Sequence, residues 1–408
     1  MTNKPLAGIK VVDLSQYVSG PATTKMLADW GAEVIKVEAG SGDPMRTIGP
    51  TIGMPGDDGC NPFYGNFNIN KLTTVLNLKD PAGREAMEKL LAWADVFVTN
   101  WRPKALKKMG LDYEAMHQRF PRIIWGGING FGNYGPEKDD PGYDTVAFWA
   151  KTGLMLDMCE GGADGSLASP LIPFYGVGDT AAATSLAGGI GAALYQREKT
   201  GEGSQVFVSL YAQGIWDACC SVMSAQYENS YPKTRTKPAS PVANSYKTKD
   251  NEWIYAMIFD VKAYPRFLQA VGRDDLKDDA RFNNPTGATE NREELFRIIE
   301  EGFAKYTFEE MLGRLKEYDI PHSPVRHVAE VHKDPQALAN NNVFEYTNPD
   351  GTTTMLTSSP VTFGDNYEND VRIPYGRIGE HTALVLKQLG YSDAEVEKML
   401  ADGSATQA

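Results

Sequence analysis

Through the first 130 positions, short apolar runs alternate with longer amphipathic stretches. Residues 9–14, IKVVDL, have the length and branched side chains of a buried strand, and PATTKMLADWGA, beginning at Pro21, has the spacing of a helix ended by Gly31. EVIKVE at 33–38 predicts a second strand. The alternation continues with TTVLNL (73–78), a helix over DPAGREAMEKLLAWA (80–94), DVFVTN (95–100) and RIIWGGING (122–130). Such a succession predicts an α/β fold with a parallel, doubly wound sheet, whose ligands sit at the carboxyl ends of the strands.

After residue 225 the texture changes to YENSYPKTRTKPASPVANSYKTKDN, which is polar and rich in turn formers and marks a boundary or a long connection. EWIYAMIF (252–259), helices around YPRFLQAVG and FEEMLGRLKEY, and a strand near HSPVRHVAEV predict a smaller α+β domain. The expected organisation is a large domain over 1–225, a small domain over 226–335 and a return segment over 336–408. That segment, with a helix around EHTALVLKQLG, packs on the large domain or clasps a partner subunit; its tail, ADGSATQA, is expected to be loose.

Composition narrows the function. A formal charge of −13 over 408 residues argues against a nucleic-acid surface, although a locally basic pocket could still take an anionic small ligand. The longest weakly apolar run, Leu186 to Leu194, is too short to cross a bilayer, and MTNKPLAGIKVV lacks the features of a secretion signal, so a cytoplasmic protein without membrane association is expected. Cys60, Cys159, Cys219 and Cys220 have no metal or disulfide-framework spacing, and the adjacent Cys219 and Cys220 read as buried thiols. The five histidines form no ligand motif, so no metal is expected. SQYVSGPATTK, after the first strand, has one glycine where a dinucleotide fingerprint needs three, so no nicotinamide or flavin cofactor is expected.

Two places carry candidate chemistry. In YGVGDTAAATSLAGGIGAALY, Asp179 stands between glycines and a helix rich in alanine and glycine. One reading is an N-cap that satisfies the first free amides of that helix. The other is a nucleophilic carboxylate held by those amides. Position alone leaves both open. TNWRPKALKKMG (99–110) places Asn100, Trp101, Arg102, Lys104, Lys107 and Lys108 after a strand, a local basic group suited to a phosphate-bearing ligand or to a solvated helix face. Asn77 and Lys79, in VLNLKD, end the neighbouring strand.

Four blocks resemble the class III CoA-transferases, the formyl-CoA transferase family: PLAGIKVVDLSQYVSGPATTKMLADWGAEVIKVEAGSGDPMR, VLNLKDPAGREAMEKLLAWADVFVTNWRPKALKKMGLDYE, GVGDTAAATSLAGGIGAALYQREKTGEGSQVFVSLY and GEHTALVLKQLGYSDAEV. The resemblance runs from about residue 5 to about residue 395, more loosely over 225–370. It implies a Rossmann-like large domain, a small domain, and a homodimer of two interlocked subunits. It implies that Asp179 is the nucleophile, attacking an acyl-CoA to give a mixed anhydride and then an aspartyl-CoA thioester, with acyl-CoA and a free carboxylic acid as substrates. The implied coenzyme A contacts are Val18 and Ser19 through the main chain, Leu76, Asn77 and Lys79 at the adenine and ribose, and Asn100, Trp101, Arg102 and Lys108 at the phosphates and pantetheine. Where the family often has a basic residue after the second strand's Glu38, this chain has Ala39, and Lys36 or Arg46 are the candidate substitutes.

Racemases of the same fold use a histidine where DPGYDTVAFWAKTG has Tyr143, and a phenol is a poor base at neutral pH. Tyr143 and Asp144 are expected to shape the substrate pocket. The run of glycines that formyl-CoA and oxalate enzymes carry over the nucleophile is absent from PASPVANSYKTKDN. The overall pattern looks closest to the branch of amino-acid-fermenting anaerobes that moves coenzyme A between an enoate and an (R)-2-hydroxy acid. Phe148, Trp149 and Phe174 would suit such acyl groups or belong simply to the core. Carnitine and bile-acid transferases, and a non-catalytic acyl-CoA-binding protein, are the competing readings.

Overall fold

Val11, Val12, Asp13 and Leu14 are all within 1% of complete burial, because the strand that holds them is covered on both faces. The computed structural model describes residues 4–160, 169–227, 229, 231–364 and 369–408. They divide into two compact units, one reaching to Thr152 and including Pro173–Cys219 and His332–Ala408, the other made of Gly153–Ile172 and Cys220–Val331.

The first unit is built on β1 (Lys10–Leu14), β2 (Glu33–Glu38), β3 (Lys71–Leu76), β4 (Val96–Thr99), β5 (Ile124–Asn129) and β6 (Gln205–Ser209). These run parallel in the order β3-β2-β1-β4-β5-β6, the Rossmann-like arrangement. Val11 pairs with Val34 on one side and Val96 on the other, which fixes β1 in the centre. On one face the helix Ser19–Asp29 packs against the long helix Val177–Thr200. On the other, Pro81–Trp93 buries Ala86, Met87, Leu90 and Leu91 in a core shared with Val12, Phe97 and Trp125. Among the described residues, no helix is long and apolar enough to cross a membrane.

The second unit has its own core. Its antiparallel sheet, β7 (Ala243–Lys247), β8 (Trp253–Met257) and β9 (His322–Pro324), backs onto helices Arg292–Phe303 and Phe308–Glu317. Tyr246, Phe267, Phe282 and Phe303 fill the space with less than 1% exposure each. The chain then returns to the first unit with the hairpin β10 (Val343–Thr347) and β11 (Thr353–Thr357) and the helix Thr382–Gln388.

Three expectations change. The sheet is mixed, because β12 (Ala405–Thr406) adds antiparallel to β3 at its edge. The tail is therefore not loose: the Asn77 amide donates to the Ser404 carbonyl at 2.9 Å, and Ala405 joins the core with Leu386, Val396 and Met399. A two-residue strand has too little length to show a period, so the local composition reads as a free end. Cys219 is half-buried and Cys220 exposed, not buried together.

Ala405 is 1% exposed. Ala405→Asp places an unpaired charge in that core and is expected to lower stability by about 2–4 kcal/mol, read from urea unfolding. An unchanged midpoint would mean that the tail is not part of the folded core.

Candidate functional site

The chain leaves β1 toward β2 and leaves β4 toward β5, so neighbouring parallel strands send their connections in opposite directions. A crevice must open at their carboxyl ends. It holds a cavity of about 420 Å³ whose lining includes Tyr17, Ser19, Asn100, Arg102, Tyr143 and Asp179. Residues from four separate stretches of chain therefore meet at one point.

Asp179 is not the N-cap of its helix. The cap is Gly176, at φ 78°, and Asp179 lies in the first turn. The helix amides go to Asp144, which is 6% exposed and opens the π-helical turn Asp144–Ala150. Its Oδ2 accepts from the Gly176 amide at 3.0 Å and its Oδ1 from the Gly178 amide at 2.9 Å. Asp144 is thus a cap supplied from 32 and 34 residues away, and it uses the positive end of the helix. Gly178 is required by closeness: a Cβ there would lie 2.3 Å from both Asp144 Oδ1 and Phe148 Cγ.

The Asp179 carboxylate is left facing the cavity, half-buried, on the same wall as Ser19. Burial, reinforced by the charge of Asp144, pushes its pKa up to about 7 against the help of Ser19. Burial also raises the Asp144 pKa, opposed by the backbone amides of the helix start, Gly176 and Gly178 first. The expectation that helix amides keep Asp179 charged is overturned, since those amides serve Asp144.

The loop between β1 and the Ser19–Asp29 helix is held from two sides. Asn100 clasps Gln16, accepting from its amide at 3.0 Å and donating to its carbonyl at 2.6 Å. Beneath, the fully buried Lys36 donates to the Ser15 carbonyl at 2.8 Å and pairs with Asp43 at 3.0 Å, while Asp43 accepts from the Tyr17 amide at 3.0 Å. A second buried pair, Lys71 with Asp13 at 3.0 Å, ties the loop's strand to β3. Although burial opposes its charge, Lys71 and Lys36 hold the Asp13 pKa down to about 2.

Lys36 is therefore engaged inside the fold. Arg46 is too: it grips Glu38 with two bonds of 2.9 Å and donates to the Gly376 carbonyl at 3.0 Å. Neither candidate substitute for a basic residue at Ala39 is free to meet a phosphate.

Leu76, Asn77, Lys79 and Trp101 line a second cavity of about 400 Å³ beside Ala39. Trp101 lines both cavities. Val18 is buried below Gly176, whose added Cβ would meet it at 3.6 Å. Lys108 is exposed on the helix Pro103–Met109 and lines neither cavity. Phe148 and Trp149 are buried in the core and Phe174 is 67% exposed; none of them lines the cavity of Asp179. Sequence reasoning missed Tyr17, Gln16 and Asp43, whose positions follow from long-range pairing that no local motif announces.

Residues 6–382 match the pattern of CoA-transferase family III. The chain is 37% identical over 392 residues to the (R)-2-hydroxy-4-methylpentanoate CoA-transferase of Clostridioides difficile, covering 96% of this chain and 97% of that protein. It is 35% identical to the cinnamoyl-CoA:phenyllactate CoA-transferase of Clostridium sporogenes, over 97% of this chain and 96% of that one. Among solved structures, a CAIB/BAIF family protein from Brucella suis superposes with a TM-score of 0.78 at 26% identity, covering 95% and 100% of the two chains.

Two stability outcomes follow from the geometry. Gly178→Ala forces Asp144 or Phe148 aside and is expected to cost about 1–3 kcal/mol in denaturant unfolding; a neutral result would mean that the close approach is not maintained. For Asp179, the folded value of about 7 lies above the ordinary 3.8, so between the two the native state holds a proton that the unfolded chain has released. Wild-type stability from this group is therefore lost as pH rises from about 4 to about 7 and is level above. Asp179→Asn stays neutral, so its melting temperature should gain on wild type across that window. A pH-independent difference would contradict the raised pKa.

Proposed function

The chain belongs to CoA-transferase family III, and from that premise we propose that it exchanges coenzyme A between an enoyl-CoA and an (R)-2-hydroxy acid, with the Asp179 carboxylate as covalent relay. It is a CoA-transferase, moving coenzyme A from a thioester to a free carboxylic acid. The observation that carries the mechanism is the position of Asp179: a carboxylate at a cavity wall, not used to cap its own helix, and destabilised as an anion. Desolvation and a neighbouring like charge are what make a carboxylate reactive toward an acyl carbon.

In the proposed sequence, an Asp179 oxygen attacks the donor carbonyl; a C–O bond forms, the C–S bond breaks, and the CoA thiolate leaves. The thiolate then attacks the aspartyl carbonyl of the anhydride and expels the donor acid as its carboxylate, giving aspartyl-CoA. The acceptor carboxylate attacks that thioester, regenerating a mixed anhydride and the thiolate. Attack of the thiolate on the acceptor's carbonyl releases the new acyl-CoA and frees Asp179. No net proton is consumed and no water enters.

The two cavities that meet at Trp101 support a long ligand lying between them. In this reading Leu76, Asn77 and Lys79 hold the adenosine end, Arg102 faces the phosphates, and Val18, Ser19 and Trp101 guide the pantetheine toward Asp179, while Lys108, which lines neither cavity, makes no contact. Asn100 acts through Gln16 by fixing the loop. Tyr143 lines the acyl pocket and Asp144 positions the nucleophile. The substrate class rests on the two transferases named above, whose names specify a 2-hydroxy acid and an enoyl-CoA with an aryl-substituted 2-hydroxy acid. An interlocked homodimer belongs to the same proposal, and the exposed Phe174, Tyr175 and Trp216 support it as surface that a second subunit would cover.

Donor acyl-CoA followed by borohydride or hydroxylamine should modify or cleave the chain at Asp179, seen by mass spectrometry. Asp179→Ala should form no adduct and lose transfer by at least about 10³-fold while remaining folded. Because the group must be ionised to attack, kcat/KM should fall tenfold per pH unit below about pH 7 and be level above it. Retained transfer in Asp179→Ala would end the proposal.

A further inference from the structure

Tyr17 has φ 62°, in the left-handed region that bulky side chains rarely adopt. Such a residue persists only where its surroundings impose it, and these conformations gather where a side chain must be aimed. Here the restraints are named ones: the Asp43 carboxylate on the Tyr17 amide, Lys36 on Asp43, and Asn100 holding Gln16 from both sides. All serve to keep one backbone turn in place.

The aim of that turn is Tyr143. The two rings meet edge to face, with centroids 5.8 Å apart and planes at 83°. Both tyrosines line the cavity that contains Asp179. Tyr143 also directly precedes Asp144, the cap of the Asp179 helix. The phenol pair is thus held in register with Asp179 from both members.

The relay of carboxylates and thiolate has no step that requires a phenol. Two phenols side by side at one cavity wall offer O–H donors and oxygen lone pairs as acceptors. That set complements a single hydroxyl group, which both gives and takes a hydrogen bond, and the ring edges beside it are apolar. A plain enoate or alkanoate has no group to meet it.

We propose that Tyr17 and Tyr143 together recognise the 2-hydroxyl group of the acceptor acid and so set the preference for 2-hydroxy acids over their deoxy counterparts. This rests on the substrate reading above and assigns that selectivity to the pair.

The test compares two acceptors with one acyl-CoA donor: 2-hydroxy-4-methylpentanoate and 4-methylpentanoate, which differ by the hydroxyl alone. The readout is the ratio of their kcat/KM values. Wild type should favour the hydroxy acid, and Tyr17→Phe and Tyr143→Phe should each reduce the ratio by about tenfold or more. The ratio is taken within one preparation, so partial loss of folded protein cancels, and two separate positions give the same reading. A wild-type preference that both variants retain overturns the role of the pair and leaves the substrate class standing. A wild type that uses neither acid overturns both.

Discussion

The geometry of the site depends on one interaction, the capping of the helix Val177–Thr200 by Asp144. A helix N-terminus offers unpaired amides and partial positive charge, and the nearest acid along the chain, Asp179, would ordinarily take them. Asp144 occupies those amides instead, and Gly178 lets it come close enough to do so. The consequence falls on Asp179. It is left partly out of water and beside a like charge, and its proton affinity rises. An N-capping aspartate would be a stabilised anion and a poor nucleophile; an aspartate displaced from the cap is destabilised and available.

The loop opposite Asp179 is fixed by a different device. Lys36, Asp43, Lys71 and Asp13 lie under it with almost no exposure, paired at 3.0 Å. Buried ion pairs contribute little net stability, since desolvation offsets much of their attraction. What they provide is direction: Asp43 Oδ1 accepts from the Tyr17 and Met45 amides and Asp13 Oδ2 from the Thr24 hydroxyl, and a turn containing a strained tyrosine can take only the path those groups define. An apolar core of the same volume would be indifferent to that path. The same engagement explains why Lys36 and Arg46 do not replace the basic residue absent at Ala39.

The alternating strands and helices of the first unit were legible because β1 to β5 are buried on both faces, and burial on both faces produces continuous apolar runs. Helix ends at Pro and Gly, such as Pro81 and Gly31, carry their own local chemistry and were legible for that reason. The short β12 was not, since its place depends on β3 and a helical core gathered from far upstream. Asp179 was found as a residue of interest, but its local role was misread, because a motif of glycine, aspartate and small residues describes an N-cap equally well.

The sequence by itself determined the fold class, the central strands, the polar strand ends and the one acid that breaks a run of small residues, since each is encoded in neighbours a few positions apart. Tertiary structure alone decided which carboxylate caps the helix, which cations are engaged inside the fold, and that Tyr17 meets Tyr143. Those outcomes turn on competition between groups far apart in the chain for the same few amides and charges, and such a competition is settled only when the chain brings them to one place.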